Sequence, residues 1–432
     1  MKYFLFCITA VLLLSCNKPE DRPNIIYIMV DDMGYADLGI YGQQDYQTPV
    51  LDSLAKQGMR FIQAYSAAPV CTPTRVAFMT GRYPARNPVG LREPLVMDST
   101  DIDLGLSPEI PTVSSLLKKS GYNTALFGKW HLGFKPELFP SAHGFDTFFG
   151  ITAGGADYVS HRYEGKDVLF ENVTPVKEEG YLTDLITKHA VDYITKANAP
   201  FFVSLQYTAP HWPWQKPGDP ALNDTTRMSS GGDFETFAAM VENLDTNIAS
   251  ILEAIDKKGV RDNTLIIFTS DNGGERYSSM MPLRGGKFDL NEGGIRVPAF
   301  VRWPSKIKAN AVTDQVAITM DWTVTILNAA QINTDSFSFD GINLLPVLEG
   351  QEENIERNLF WRLTNRARWN AYRSADWKYL KTPDGESLYN LSNDISESND
   401  LKSSEPAIFQ RLKSEFENLD KEMLPPYVFP KK

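Results

Sequence analysis

Side chains that can bind a metal ion or an anion follow four short apolar segments of the chain. They are Asp31 and Asp32 after the first segment, Lys129 and His131 after the second, His211 after the third, and Asp271 and Asn272 after the fourth. Each of these residues, taken alone, is typical of a helix cap, a turn or a histidine with ordinary hydrogen-bond partners. Three carboxylates and an amide held together, however, need a cation between them. Their oxygen atoms suit a hard ion, and the lack of cysteine or histidine among these four disfavours zinc, so the pattern predicts calcium or magnesium.

Cys71 is the residue of the chain that most needs an explanation. The sequence holds three cysteines, and the other two, Cys7 and Cys16, lie in the N-terminal segment. Cys71 therefore has no disulfide partner in a chain that we expect to be exported. The pattern Cys-Thr-Pro-Thr-Arg at 71–75 predicts that Cys71 begins a helix, where the helix dipole favours anions. A thiolate nucleophile is the simple interpretation, but a hard metal ion beside a soft thiolate is a poor chemical match.

The N-terminal segment has the pattern of an export signal. Lys2 precedes an apolar run over residues 3–14, which is short for a membrane span and suits the core of a signal peptide. The run leads into Leu-Leu-Ser-Cys at 13–16, which resembles the lipobox of bacterial lipoproteins. That resemblance implies a signal peptide over 1–15, a lipid anchor to the membrane on Cys16, and a tether over 16–23. The protein would then be an exported lipoprotein of the periplasm or cell surface; a plain secretory signal is the alternative.

The overall composition excludes one class of partner. The 432 residues include 43 basic and 54 acidic side chains, a formal net charge of −11. An acidic surface disfavours nucleic acid as a partner, because phosphate backbones reward clustered lysine and arginine. A small anionic substrate stays compatible with this charge, since a local cationic pocket can lie within an acidic body. Export also favours calcium over magnesium in the predicted metal site.

Short buried strands alternate with helices through most of the chain. Apolar runs bounded by turn residues predict strands over 24–30, 124–127, 201–205 and 263–269. Helical patterns lie over 49–58, 111–120 and 234–258. This alternation predicts an α/β fold with a large mixed, mostly parallel sheet flanked by helices. In such a sheet, functional groups gather outside the carboxyl ends of the strands, so the polar residues that follow the four strands should meet at one site.

The last part of the chain has a different pattern. It shows short strand-like pieces at 359–362 and 377–380 and a closing helix over 405–419. We therefore expect a catalytic domain over 24–350 and a smaller C-terminal α+β subdomain over 351–432.

The sequence around Cys71 resembles the Cys-x-Pro-x-Arg signature of the type I sulfatases, in which the cysteine is oxidised to formylglycine. Further segments resemble motifs of that family in the family's own order: 31–39, 128–133, 209–211, 271–274, and 283–287 with 292–298. The resemblance runs from residue 24 to about residue 300, and the tail is similar to the family's small C-terminal domain. It implies an alkaline phosphatase-like fold and a sulfuric ester hydrolase that depends on a formylglycine-generating maturation enzyme.

Carried over residue by residue, the resemblance implies two groups of side chains around a sulfate ester. The ligands of one calcium ion would be Asp31, Asp32, Asp271, Asn272 and the modified Cys71. The cations that neutralise the sulfuryl oxygens together with calcium would be Arg75, Lys129 and Lys287.

The same resemblance implies two proton-transfer roles. One oxygen of the hydrated formylglycine would attack the sulfate sulfur while His211 protonates the leaving alcohol. His131 would then take a proton from the second hydrate oxygen, so that sulfate is expelled and the aldehyde returns.

Three further residues are candidates for substrate contacts. Trp212 follows the second histidine motif, and an aromatic face beside an anion site suits a sugar ring, so a sulfated carbohydrate is the expected substrate. Arg284 could bind a substrate carboxylate or second sulfate, or form a structural salt bridge. In the loop where many members of the family place a polar sulfate contact, this chain has glycines near the expected place, among them Gly154 and Gly155, so no residue is assigned there. His161, a few residues further on, could reach the leaving group or lie at the surface.

Two other functions remain open on the sequence alone. One is a phosphoester or phosphonate hydrolase of the same superfamily, whose metal sites look alike. The other is a non-catalytic, calcium-dependent binder of sulfated glycans with an unmodified Cys71. The segment 213–233, rich in Pro, Gly, Ser and Asp, predicts a long loop of the kind that often covers or lines a binding site.

Overall fold

A computed structural model of the protein describes residues 22–98, 100–198, 200–223, 227–364 and 368–426. The predicted signal peptide and the lipobox residue Cys16 lie outside these residues. No helix within the described ranges combines the length and the apolar character needed to cross a membrane.

Most strands of the protein belong to one large sheet. The strands are β1 Asn24–Val30, β2 Met59–Phe61, β3 Ala64–Tyr65, β4 Asn123–Gly128, β5 Thr147–Ile151, β6 Arg162–Tyr163, β7 Lys166–Asp167, β8 Leu169–Glu171, β9 Thr174–Pro175, β10 Phe201–Gln206, β11 Thr264–Ser270, β12 Ala299–Arg302, β13 Ala311–Thr313, β14 Ala317–Ile318, β15 Asn358–Leu363, β16 Trp369–Ser374, β17 Trp377–Thr382 and β18 Gly385–Asn390. Ten of them form the sheet in the order β13-β2-β12-β11-β1-β10-β4-β5-β8-β9.

The middle of this sheet is parallel, as the sequence predicts. Ile26 of β1 pairs with Ile266 of β11 on one side and with Val203 of β10 on the other. Strands β4 and β5 continue the parallel part beyond β10, whereas β12, β8 and β9 run antiparallel to their neighbours. The carboxyl ends of β1, β4, β10 and β11 therefore lie side by side at one edge.

Helices cover both faces of the sheet. They are α1 Pro49–Lys56, α2 Cys71–Thr80, α3 Val113–Lys119, α4 Leu182–Lys196, α5 Phe234–Lys258, α6 Glu292–Ile295, α7 Thr319–Ala329, α8 Leu345–Leu348 and α9 Pro406–Asp420. Helix α5 has the predicted bounds because the Asp233 side chain accepts a hydrogen bond from Thr236 N and Gly259 ends the helix in a left-handed conformation.

The side chains of β1 alternate between two hydrophobic cores. Ile26 and Ile28 pack with the apolar faces of α1, α4 and α5, whereas Ile25 and Tyr27 pack with α2, α3 and α7 on the opposite face. The alternation follows from the two-residue period of a strand. With both faces buried, the central strands read as continuous apolar runs, which is why the sequence reveals them.

The C-terminal subdomain is a four-stranded antiparallel sheet, in the order β15-β16-β17-β18, packed against α9. Phe416 of α9 stacks on Phe360 at a ring-centroid distance of 5.0 Å. Sequence analysis finds β15, β17 and α9 but not β16 and β18, because polar residues interrupt the apolar pattern of the last two. The indole of Trp361 donates to Ser66 O at 2.8 Å and so joins this subdomain to the large one.

Candidate active site

The predicted meeting of the four strand ends is found in the structure. Asp31 follows β1, Lys129 follows β4 and Asp271 follows β11, and all three are fully buried. Lys129 Nζ lies 2.5 Å from Asp31 Oδ2, and Arg75 Nη2 of α2 lies 2.9 Å from Asp271 Oδ2. Parallel strands deliver these groups to one point because their carboxyl ends share an edge of the sheet.

Cys71 begins α2, as predicted, and is buried beside this cluster. Burial raises the pKa of the Cys71 thiol, and Lys129 offsets that effect only in part. The thiolate that a helix N-terminus would favour is therefore not the stable form of this residue. Cys71 Sγ lies 3.3 Å from His131 Nδ1, which places a base next to whatever group residue 71 carries.

The environment of His131 fixes the tautomer of its ring. His131 Nε2 lies 3.0 Å from the carbonyl oxygen of Leu95, which can only accept a hydrogen bond, so Nε2 carries the proton. Burial and the charge of Lys129 lower the pKa of His131 well below its usual value, so the imidazole is neutral. Its unprotonated Nδ1 therefore points at Cys71 as a proton acceptor.

The two ring nitrogens of His211 have the opposite roles to those of His131. Its Nδ1 donates to the carbonyl oxygen of Trp212 at 2.6 Å, which leaves Nε2 directed towards Asp32, 3.7 Å from Oδ2. Burial and the charge of Lys287 lower the pKa of His211 to about 4. The ring is thus neutral in the free protein, and an anion bound near Lys287 would raise its pKa.

The carboxylate cluster has the donors that a hard cation requires. Asp31 Oδ1 and Asn272 Oδ1 are buried without a hydrogen-bond partner in the described part of the chain. Asp31, Asp32 and His211 offer ligand atoms within 4.8 Å of one another. Burial raises the pKa of Asp271 to about 7; the nearby Asp31 carboxylate adds to this effect and Arg75 offsets it only in part. These oxygen-rich residues fit a calcium ion.

Three further contacts hold the charged side chains of the site in place. Lys287 Nζ lies 2.7 Å from Asp32 Oδ2, and Asn272 Nδ2 donates to Asp32 Oδ1 at 2.7 Å. Arg75 Nη1 also donates to Gln206 Oε1 at 2.9 Å, so its guanidinium is held on two sides.

The two glycines at 154 and 155 pack against His131 and His211. A Cβ atom on Gly154 would lie 2.8 Å from His131 Cε1, and one on Gly155 would lie 3.3 Å from His211 Cε1. A side chain at Gly154 would therefore collide with the His131 imidazole, whereas one at Gly155 would make only a tight contact with His211.

A cavity of about 400 Å³ opens over Cys71. Among its lining residues are His131, His211, Lys287, Trp212, Tyr163 and Glu275. Arg227, Met228 and Ser229 also line it, so the described part of the predicted 213–233 loop contributes to its wall.

The three candidates for substrate contacts have different positions. Trp212 lines the cavity and packs on His211 with a ring-centroid distance of 4.4 Å. His161 is buried and its Nε2 bonds to the carbonyl oxygen of Gly180, and it is not among the cavity-lining residues. Arg284 directs Nη1 to the carbonyl oxygen of Glu397 in the C-terminal subdomain, also away from the lining. The structure therefore favours Trp212 and gives no support to His161 or Arg284.

Sequence reasoning missed the segment that carries Leu95 and the cavity residue Glu275. Leu95 acts through its backbone, which no side-chain pattern reveals. Glu275 directly follows the 271–274 motif, and that adjacency is a signal that the sequence offered.

Comparison with known proteins gives the class. The sulfatase family model matches residues 23–332, and the model described as N-sulphoglucosamine sulphohydrolase, C-terminal, matches residues 286–422. The chain belongs to the sulfatase family, a family of sulfuric ester hydrolases.

Individual relatives differ in the substrate that their names give. The N-acetylgalactosamine-6-sulfatase of Homo sapiens is 34% identical over 372 residues, covering 81% of this chain and 70% of that protein. The steryl-sulfatase of Rattus norvegicus is 30% identical and covers 86% of this chain and 80% of its own length. The crystal structure of Ps i-CgsB is 33% identical with a TM-score of 0.85, covering 94% of this chain and 95% of that one. It was also solved in complex with k-i-k-neocarrahexaose.

Proposed function

We propose that the protein removes sulfate from a carbohydrate through a formylglycine formed from Cys71, with one calcium ion in the carboxylate cluster. The observation that carries this proposal is the position of Cys71, 3.3 Å from His131 Nδ1 and in the wall of the cavity that Lys287 and His211 share. A buried thiol with a raised pKa is a poor nucleophile, so the residue type at 71 is better explained as the substrate of a maturation enzyme.

The oxygen donors of the cluster would hold the metal. Asp31, Asp32, Asp271 and Asn272 supply the ligands, and residue 71 lies beside them. When bound there, calcium would withdraw negative charge from the sulfuryl oxygens. As formylglycine, residue 71 would supply a hydrated aldehyde as the nucleophile in place of the thiol.

The cationic side chains would bind the sulfate group. Lys129 and Lys287 each contact a carboxylate of the cluster, at 2.5 and 2.7 Å, so their charges are fixed before substrate arrives. Arg75 is held in the same way by Asp271 and Gln206. Preorganised cations lower the barrier because they need no reorientation as charge moves on the transferring group.

The two histidines would divide the proton transfers. His131 Nδ1, unprotonated and next to residue 71, would accept the proton whose loss releases sulfate. His211 lines the cavity, its Nε2 lies 3.7 Å from Asp32 Oδ2, and it would give a proton to the leaving oxygen. The bound sulfate ester brings a negative charge that raises the pKa of His211 from about 4 and makes this donation possible.

A carbohydrate is the substrate class that the cavity and the relatives favour together. Trp212 offers an aromatic face next to His211. Two relatives that match most of the chain have names or titles that mention carbohydrates: N-acetylgalactosamine-6-sulfatase, and Ps i-CgsB in its complex with k-i-k-neocarrahexaose. Turnover of sulfated monosaccharides and oligosaccharides by protein made with the maturation enzyme tests the proposal. Phosphate release from sugar phosphates without sulfate release would refute it.

We also propose that the protein is exported and held at a membrane by lipid on Cys16. The support is the lipobox-like end of the apolar N-terminal run. Metabolic labelling with a radioactive fatty acid in a bacterial host should label the wild type and not the Cys16→Ala variant. Equal labelling, or no labelling of either, would contradict the anchor.

A further inference from the structure

The cavity over Cys71 holds a carboxylate that the proposed reaction does not use. Glu275 lines this cavity, and its side chain is 31% exposed. Its Oε2 atom forms an ion pair with Lys287 Nζ at 3.6 Å, a distance longer than a hydrogen bond, and is buried without a hydrogen-bond partner among the described residues. A polar atom left in this state at a binding site calls for a ligand that can satisfy it.

The charge of Glu275 limits what that ligand can be. The sulfate group is anionic and is expected beside Lys287, so the Glu275 carboxylate repels it. The part of the substrate that contacts Glu275 must therefore donate hydrogen bonds, as hydroxyl and amide N–H groups do. Because Glu275 lies close to Lys287, this contact lies next to the reacting sulfate group and not at a distant subsite.

Trp212, in the wall of the same cavity, offers an aromatic face that can contact the same part of the substrate. A sugar ring presents an apolar face and an edge of hydroxyl groups, which suit an aromatic ring and a carboxylate respectively. A steryl or aryl leaving group can use the aromatic face but offers no donors at its edge. It would leave the buried oxygen of Glu275 with the long Lys287 ion pair as its polar contact and no hydrogen bond from the substrate.

We propose that Glu275 accepts hydrogen bonds from the hydroxyl or amide N–H groups of the sugar that carries the sulfate, and so determines specificity for carbohydrate over aryl and steryl sulfates. This inference rests on the proposed function. It adds a polar contact with the sugar to a site whose other proposed polar groups bind the sulfate and the metal.

The test compares two kinds of substrate on one set of variants. Galactose 6-sulfate and N-acetylgalactosamine 6-sulfate offer donors beside the sulfate, whereas 4-nitrophenyl sulfate offers none. For Glu275→Gln, kcat/KM on the better sugar should fall about tenfold or more relative to kcat/KM on the aryl sulfate, because a charged acceptor becomes a neutral one. Glu275→Asp should give a smaller change in the same ratio. The control Glu235→Gln removes a charge that lies outside the cavity, on a side chain 84% exposed, and should leave the ratio as in the wild type.

The outcomes separate this inference from the proposed function. Equal losses on sugar and aryl substrates would mean that Glu275 acts by holding Lys287, and would overturn the inference while leaving a sulfatase. An unchanged ratio would overturn it as well. A wild-type protein that hydrolyses aryl sulfate but neither sugar would refute the carbohydrate subsite, and one that hydrolyses no sulfate ester would refute the proposed function itself. Thermal unfolding and the formylglycine content of each variant exclude loss of folding or maturation as the cause.

Discussion

Gly154 offers the sharpest test of the role of His131. The glycine backbone is not in the left-handed region, so an alanine here meets no strain of that kind. Its Cβ, however, would lie 2.8 Å from His131 Cε1 and 2.9 Å from Nε2. The ring has little freedom to yield, because Leu95 O holds Nε2 at 3.0 Å and Cys71 lies 3.3 Å from Nδ1.

The expected magnitude follows from these distances. An ordinary contact begins at 3.4 Å, so the His131 ring must move by about 0.6 Å, the difference between 3.4 and 2.8 Å. Misplacement of a catalytic group by about 1 Å can cost about a hundredfold in rate, so we expect Gly154→Ala to lower kcat about tenfold. Gly155→Ala is the matched control, because its Cβ would lie 3.3 Å from His211 and needs a shift of only about 0.1 Å.

The assay can also identify the affected step. If His131 serves the release of sulfate, Gly154→Ala should slow turnover after the leaving group has departed. Rapid mixing with 4-nitrophenyl sulfate should then show a burst of nitrophenol equal to the active enzyme, followed by a slow steady state. A kcat equal to that of the wild type, or a slowed burst with no change in the later phase, would refute the assignment of His131 to sulfate release.

Two other predictions concern the buried charges. Lys378 is fully buried, with its Nζ 2.9 Å from Glu292 and 2.8 Å from Glu397. Lys378→Met leaves these two buried carboxylates without this cation. It should therefore lower the free energy of unfolding, measured by urea titration, by about 3–5 kcal/mol. The exposed Lys381→Met should change it by less than about 0.5 kcal/mol, and equal losses would contradict this reasoning. Because the pKa of Asp271 in the folded protein is raised to about 7, protons compete with calcium below that pH, and the apparent calcium affinity should increase as the pH rises towards 7. Calorimetry of the metal-free protein in buffers of different ionisation enthalpy should detect proton release on calcium binding at pH 6, and a pH-independent affinity with no release would contradict the assignment of Asp271 as a ligand.

The central sheet and the cluster at its edge could be predicted because they depend on local patterns. Continuous apolar runs mark the strands, and the polar residues that follow them meet because parallel strands share one carboxyl edge. Asp31, Lys129 and Asp271 illustrate this, since each follows a strand directly.

Features that depend on contacts between distant segments could not be read from the sequence. The carbonyl of Leu95 fixes the tautomer of His131, but a backbone atom leaves no side-chain signal. Lys378 belongs to the C-terminal subdomain, yet it is buried against Glu292 of α6 in the large domain. In the sequence, such a lysine is indistinguishable from an exposed one. The sequence also could not show that His161 and Arg284 each direct a side-chain nitrogen to a backbone carbonyl outside the cavity lining, because only the fold decides which way their side chains point.

Turnover of 4-nitrophenyl sulfate and 4-nitrophenyl phosphate, measured against the formylglycine content of residue 71, tests the central claim most directly. Preparations made with different amounts of the maturation enzyme would supply a range of contents, each determined by mass spectrometry of the Cys71 peptide. We predict that sulfate turnover rises in proportion to the aldehyde content and exceeds phosphate turnover by a large factor. A preference for phosphate, or sulfate turnover that persists when Cys71 is an intact thiol, would contradict the account.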